Sequence, residues 1–141
     1  MNENNVFKKS HIFLGGTCNG SKWREELIPL LDPEKCTFFN PVVENWTEEC
    51  QAEEIRQREN CDFCLYVLTP EMTGVYSVAE VVDDSNKRPK KTVMVVLEKY
   101  GEIEFTKVQA KSMRQVVKMV HGNGGHVFGS LQDVATYFNR L

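Results

Sequence analysis

"DFCLYVLTPEMTGVYSVAEVVDDSNK", residues 62–87, decides the fold. Its first part, "DFCLYVLTP", is a short continuous apolar run with aromatic and β-branched residues, ended by Pro70. Such a run reads as a strand covered on both faces. Its second part, "VYSVAEVVDDSN", has the period of a helix. Tyr76, Glu80 and Asp83 or Asp84 share one face, while Val78, Val81 and Val82 point elsewhere. A buried strand passing directly into an amphipathic helix is half of a βαβ unit.

The same alternation continues in both directions. Towards the N-terminus, "HIFLGG" (residues 11–16) reads as a buried strand and "KWREELIPLL" (22–31) as a helix, shortened or kinked by Pro29. "CTFFNP" (36–41) is a second strand, and "TEECQAEEIRQREN" (47–60) a charged helix capped by Thr47. Towards the C-terminus come "KTVMVVLE" (91–98), a long helix over 105–120, "HVFG" (126–129) and a closing helix, "SLQDVATYFNRL", capped by Ser130. Five strands alternating with helices predict an α/β domain. It is a doubly wound five-stranded parallel sheet of the flavodoxin/Rossmann kind, order 2-1-3-4-5, with helices on both faces. The chain of 141 residues reads as one domain, 1–141, with 1–9 a flexible N-terminal segment.

Bulk properties narrow the function. The start, "MNENNVFKKS", lacks the apolar core of a secretory signal, and no apolar run approaches the roughly 20 residues of a membrane span. A cytoplasmic protein with no membrane partner is expected. A net charge of −3 gives no basic footprint for nucleic acid, and "NKRPKK" (86–91) reads as a solvated turn. The five cysteines form no disulfide framework; Cys61 and Cys64 form a C-x-x-C that reads as structural, since the second cysteine enters a strand.

"HIFLGGTCNGSK" (11–22) looks like a phosphate loop but fits neither template. Gly15 and Gly16 are adjacent, which breaks G-x-G-x-x-G; Gly15 and Gly20 are followed by Ser21-Lys22, the reverse of the Lys-Ser order a triphosphate loop needs. The two glycines still permit close approach of a ligand, and Thr17, Asn19 and Ser21 add neutral donors, a set suited to a sugar or one phosphate. In a doubly wound sheet the loops after strands one and three meet at the switch point, which puts Glu80 one turn into a helix facing the ligand crevice.

"FLGGT", "WREELIPLL", "FFNPVVENW" and "CLYVLTPEMTGVYSVAEVV", in this order, resemble the nucleoside 2-deoxyribosyltransferase family, most specifically at "GVYSVAE". The resemblance implies that Glu80 is a nucleophile that traps the sugar at its anomeric carbon after the base departs. It implies a pocket built from Gly15, Gly16, Thr17 and Ser21, then Asn40 and Pro41, with Trp46 stacking on a base and Gly74, Tyr76 and Ser77 beside the nucleophile. Family members often carry an aspartate six residues before the nucleophile, where this chain has Gly74; this leaves Glu71, Asp62 or a group from another subunit to handle the base, with Glu71 the better candidate because Asp62 opens strand three, far from the crevice. The expected activity is cleavage or transfer at the N-glycosidic bond of a deoxynucleoside or its 5′-monophosphate, with no metal or organic cofactor, in a homo-oligomer. The alternative is a nucleotide-binding or regulatory module of the same fold without catalysis; cleavage of a dinucleotide such as NAD ranks below both.

Overall fold

A computed structural model of the chain describes residues 8–141. The expected flexible segment, 1–9, lies outside these except for its last two residues. Five strands, β1 (Ser10–Gly16), β2 (Cys36–Phe39), β3 (Phe63–Leu68), β4 (Thr92–Val96) and β7 (His126–Phe128), form one parallel sheet in the order β2-β1-β3-β4-β7. This is the doubly wound topology expected from the strand–helix alternation. The helices are α1 (Trp23–Leu27), α2 (Glu48–Asn60), α3 (Tyr76–Lys87), α4 (Lys107–Gly122) and α5 (Leu131–Asn139).

Strand side chains alternate between two apolar layers, as the two-residue period of a strand demands. Ile12, Leu14, Leu65, Val67, Val93 and Val95 point to one face, where Trp23 and Leu27 of α1 and Val134, Ala135 and Phe138 of α5 cover them. Phe13, Cys64, Tyr66, Leu68 and Met94 point to the other, under Val81 of α3 and Ala110, Met113 and Val120 of α4. The central strands β1, β3 and β4 are mostly apolar because both their faces are roofed.

Local chemistry sets the boundaries. Pro29 converts the end of the first helix into a 3₁₀ turn, Ile28–Leu30. Thr47 accepts a hydrogen bond from the Cys50 amide, and Ser130 from the Asp133 amide, at the starts of α2 and α5. Thr106 and Gln109 form a reciprocal capping box on α4. The sequence pattern leaves residues 99–104 unassigned. They form a short antiparallel hairpin, β5 (Lys99–Tyr100) with β6 (Ile103–Glu104), too brief for alternation to register. Among the described residues no helix is long and apolar enough to cross a membrane.

The carboxyl ends of β1 and β3 are joined closely at the switch point. Gly16 pairs with Val67; the Thr17 amide donates to the Val67 carbonyl at 2.9 Å, and the Thr69 amide to the Thr17 hydroxyl at 2.9 Å. Gly16 has φ of +118°, and a Cβ there would lie 2.1 Å from the Val67 carbonyl oxygen. No side chain fits without separating the strands. The Gly16→Ala variant is therefore expected to lose at least about 3 kcal/mol of stability, from backbone clash and strained φ together. Urea denaturation checks this, and a loss below about 1 kcal/mol would contradict the packing described.

Candidate active site

The loop after β1 is held open by its neighbour in sequence, Trp23-Arg24. The Thr17 carbonyl accepts from Trp23 Nε1 at 2.8 Å and from Arg24 Nη1 at 2.8 Å, and Arg24 Nε donates to the Leu14 carbonyl at 3.0 Å. Arg24 is 4% exposed, and its guanidinium carbon lies 4.3 Å from the centre of the Trp23 ring. Position 24 is on the buried side of the first helix, in line with Leu27, Ile28 and Leu31. A charge on that face is the signal that a periodicity reading passes over.

Beside this loop lies a cleft of about 560 Å³, within the range of small-molecule sites. Gly15, Gly16, Thr17, Pro41, Trp46, Gly74, Tyr76, Ser77 and Glu80, all singled out in the sequence, line it together. Three others do not. Asn40 turns the chain after β2, its side chain accepting from the Val42 amide at 3.1 Å. Ser21 donates to Glu71 Oε1 at 2.6 Å, a carboxylate oxygen that also accepts from Thr69, and Asn19 donates to the Glu71 carbonyl at 2.8 Å. Glu71 thus ties the β1 and β3 loops together beside the cleft rather than lining it.

Asn19, read from the sequence as a neutral donor of this loop, also lines the cleft, and residues that sequence reasoning missed complete it: Cys18, Arg24, Val42, Val43, Gln51, Glu54 and Met72. Gln51 and Glu54 are on α2, whose only buried residue is Arg58. With charged residues on every face of that helix, no period marks which side looks inward. Trp46, at 58% exposed, donates from its indole nitrogen to Glu54 Oε2 at 3.1 Å and forms the rim with Tyr76.

Glu80 is 8% exposed on the second turn of α3. Arg58 Nη1 lies 3.5 Å from its Oε2, but that guanidinium is shared: Nη2 reaches Asp84 Oδ1 at 2.9 Å and Asp83 Oδ2 at 3.5 Å. Asp84, fully buried, also accepts from Arg88 Nε at 3.0 Å and from the Tyr66 hydroxyl. Burial outweighs the partial pairing. It pushes the Glu80 carboxyl up from 4.5 to about 7; Arg58 opposes the rise, and the negative charges of Glu54 and Asp84 add to it.

Cys61 and Cys64 are buried, with their sulfurs 3.4 Å apart, and both sulfurs approach the Arg58 carbonyl. All five cysteines are unpaired. Among the described residues no three His, Cys, Asp or Glu side chains cluster as metal ligands.

A carboxyl whose pKa is raised on folding stabilises the fold least where it is ionised. Between pH 4.5 and about 7 the unfolded chain ionises Glu80 while the folded chain keeps its proton, so stability falls as pH rises through this window. The full shift corresponds to roughly 3 kcal/mol. The Glu80→Gln variant, with Asp83 and Asp84 still on Arg58, is expected to melt above the parent at pH 8. The gap should close below pH 5, as read by thermal denaturation across pH.

The Glu80 helix, the β1 loop and the cleft between them fall within residues 9–100, and over that span the chain matches the family model described as "Nucleoside 2-deoxyribosyltransferase like". No curated protein matches the chain. The match spans most of the chain and all the cleft-lining residues, and the chain belongs to the nucleoside 2-deoxyribosyltransferase-like family.

Proposed function

We propose that the protein cleaves or exchanges the N-glycosidic bond of a deoxynucleoside or its 5′-monophosphate, with Glu80 as nucleophile. The observation that carries this reading is a buried carboxyl, on a helix at the sheet's switch point, lining a cleft of nucleoside size. Loss of a base from the anomeric carbon builds positive charge on the sugar. A carboxylate held against that carbon stabilises the charge and then bonds to it. Burial helps here, because a poorly solvated carboxylate is the better electrostatic partner for a developing cation. The Gly15-Gly16 stretch supplies close backbone approach to the sugar, and Trp46 supplies an aromatic face for the base. Val42, Val43 and Val75, exposed around the mouth, suit a homo-oligomer in which a second copy covers the cleft. The unpaired thiols suit a cytoplasmic setting.

One observation favours the second reading, a nucleotide-binding module without turnover. Gly74 leaves the place of the family's acid empty, and a Cβ added there would meet nothing within 4 Å. The two readings separate on Glu80. Incubating the protein with a panel of deoxynucleosides and 5′-monophosphates, with and without a second free base, is expected to release or exchange base. The Glu80→Ala variant should lose at least about 1,000-fold in rate. The nucleophile must be ionised, so kcat should rise with pH through about 7 and then level. No turnover by a folded parent, together with tight nucleotide binding in a thermal-shift titration, would establish the module instead. Because Gly74 faces open space, Gly74→Asp should fold with a Tm within a few degrees of the parent.

A further inference from the structure

We propose that Cys61 and Cys64 are a thiol–disulfide couple: a small disulfide such as oxidised glutathione joins them, and the new bond loosens the end of α2 that carries Arg58. In the sequence the pair reads as structural, because its second cysteine enters a strand. The folded chain gives it a further task. Cys61 directly follows the last residue of α2 and Cys64 is the second residue of β3, so the pair joins a helix end to the sheet. Both residues are buried, and their sulfurs lie 3.4 Å apart.

In the reduced state the two thiols cap the helix. The last carbonyls of any helix lack the amides of a following turn. The Gln57 carbonyl accepts from the Cys61 amide at 2.8 Å, but the Asp62 amide, which would serve Arg58 in a continued helix, donates to the His11 carbonyl at 2.8 Å instead. The Arg58 carbonyl is left to the thiols, with Cys64 Sγ at 3.2 Å and Cys61 Sγ at 3.8 Å. A disulfide has no S–H to donate. Closing it strands a carbonyl, and buried carbonyls are rarely left unpaired. The residue affected is the one buried anchor of α2, whose guanidinium meets Glu80, Asp83 and Asp84. No residue of α2 belongs to either apolar layer. Its last turn can therefore part from the sheet locally, which admits the oxidant and relieves the stranded carbonyl.

The two sulfurs have different parts in the reaction. The hydrogen bond from Cys64 holds the Cys61 thiol below its ordinary value despite burial, while that same contact and burial push the Cys64 thiol up. Cys61 is thus the attacking thiol. Its thiolate bonds to one sulfur of the small disulfide, whose S–S bond breaks with the electron pair leaving on the other half as a thiolate. Cys64 passes its proton to that thiolate and attacks the Cys61 sulfur. The second half leaves with its electron pair and takes up the proton that Cys61 released. Two protein thiols are oxidised to one disulfide, and the small disulfide is reduced to two thiols.

The test treats the full chain with oxidised glutathione or with dithiothreitol, blocks free thiols with a maleimide and reads the product by intact mass and peptide mapping. Oxidation is expected to join Cys61 to Cys64, with two fewer maleimides bound, and dithiothreitol should reverse it. The amides of residues 58–62 should exchange with deuterium at least about tenfold faster in the oxidised protein. The Cys64→Ser variant should retain glutathione at Cys61. In the double variant Cys61→Ser/Cys64→Ser, the hydroxyls still donate to the Arg58 carbonyl, so exchange should stay slow whatever the oxidant. Should the double variant melt early, the map and the exchange of the parent decide. Failure to join the two cysteines, or a disulfide that leaves residues 58–62 exchanging as before, would overturn the proposal. The effect on activity rests on the reading of Glu80 as nucleophile: base release should fall at least about tenfold on oxidation and return on reduction. Unchanged base release from the oxidised, faster-exchanging protein would overturn the link to Glu80. A reduced parent without activity would overturn the nucleophile reading alone, since mass and exchange still decide the couple.

Discussion

The ion pair between Arg58 and Asp84 connects the sheet, two helices and the candidate nucleophile. Asp84 has no exposed surface, yet three donors meet it: Arg58, Arg88 and the Tyr66 hydroxyl. Removing one member of such a buried cluster leaves uncompensated charge, which costs several kcal/mol in typical proteins. The pair also anchors α2. That helix buries no other residue, and Arg58, the contact of Gln57 with His11 at 2.9 Å and the bond from Lys91 Nζ to the Glu59 carbonyl at 3.0 Å hold it to the body. Through α2 the pair carries Gln51 and Glu54 to the cleft. Arg58 then has only a long, shared contact left for Glu80, which is why burial prevails at that carboxyl. Structure and reactivity draw on the same guanidinium.

The fold was legible because both faces of the sheet are covered. Coverage on both sides makes the central strands nearly unbroken apolar runs, and "CLYVL" and "TVMVVL" show this directly. Glu80 was legible for the converse reason, as a charge inside an otherwise apolar helical stretch at the switch point. The acids and bases on α2 carried no such contrast. Glu54 is one carboxylate among several on a helix whose every face is polar, and only the tertiary position of Arg58 shows which side turns inward. Arg24 is an intermediate case. Its place on an apolar face is visible in the sequence, but its role is set by the Leu14 and Thr17 carbonyls, which only the folded β1 loop presents.

Glu71 shows how chemistry-bearing residues can mislead when read by position alone. It follows β3 at the switch point, where an acid is easily assigned to the ligand. In three dimensions its carboxylate accepts from Ser21 and Thr69 and its carbonyl from Asn19, so it braces the loops that frame the cleft. The resemblance to an anion-binding loop has a related physical basis. Gly15 and Gly16 are small because of what lies behind them: a Cβ on Gly15 would fall 2.8 Å from the rings of Phe13 and Tyr66. The loop's shape is set by core packing, and the space it leaves in front is what a ligand can use.

The two glycines that bracket the cleft have opposite evolutionary freedom. At Gly16 the Val67 backbone forbids any side chain, so an unvarying glycine there across relatives would report folding and carry no information about the reaction. At Gly74 the backbone faces open space, so drift can install or remove a side chain without disturbing the sheet. A side chain at position 74 would add its chemistry to the cleft lining without touching the frame that Gly16 fixes.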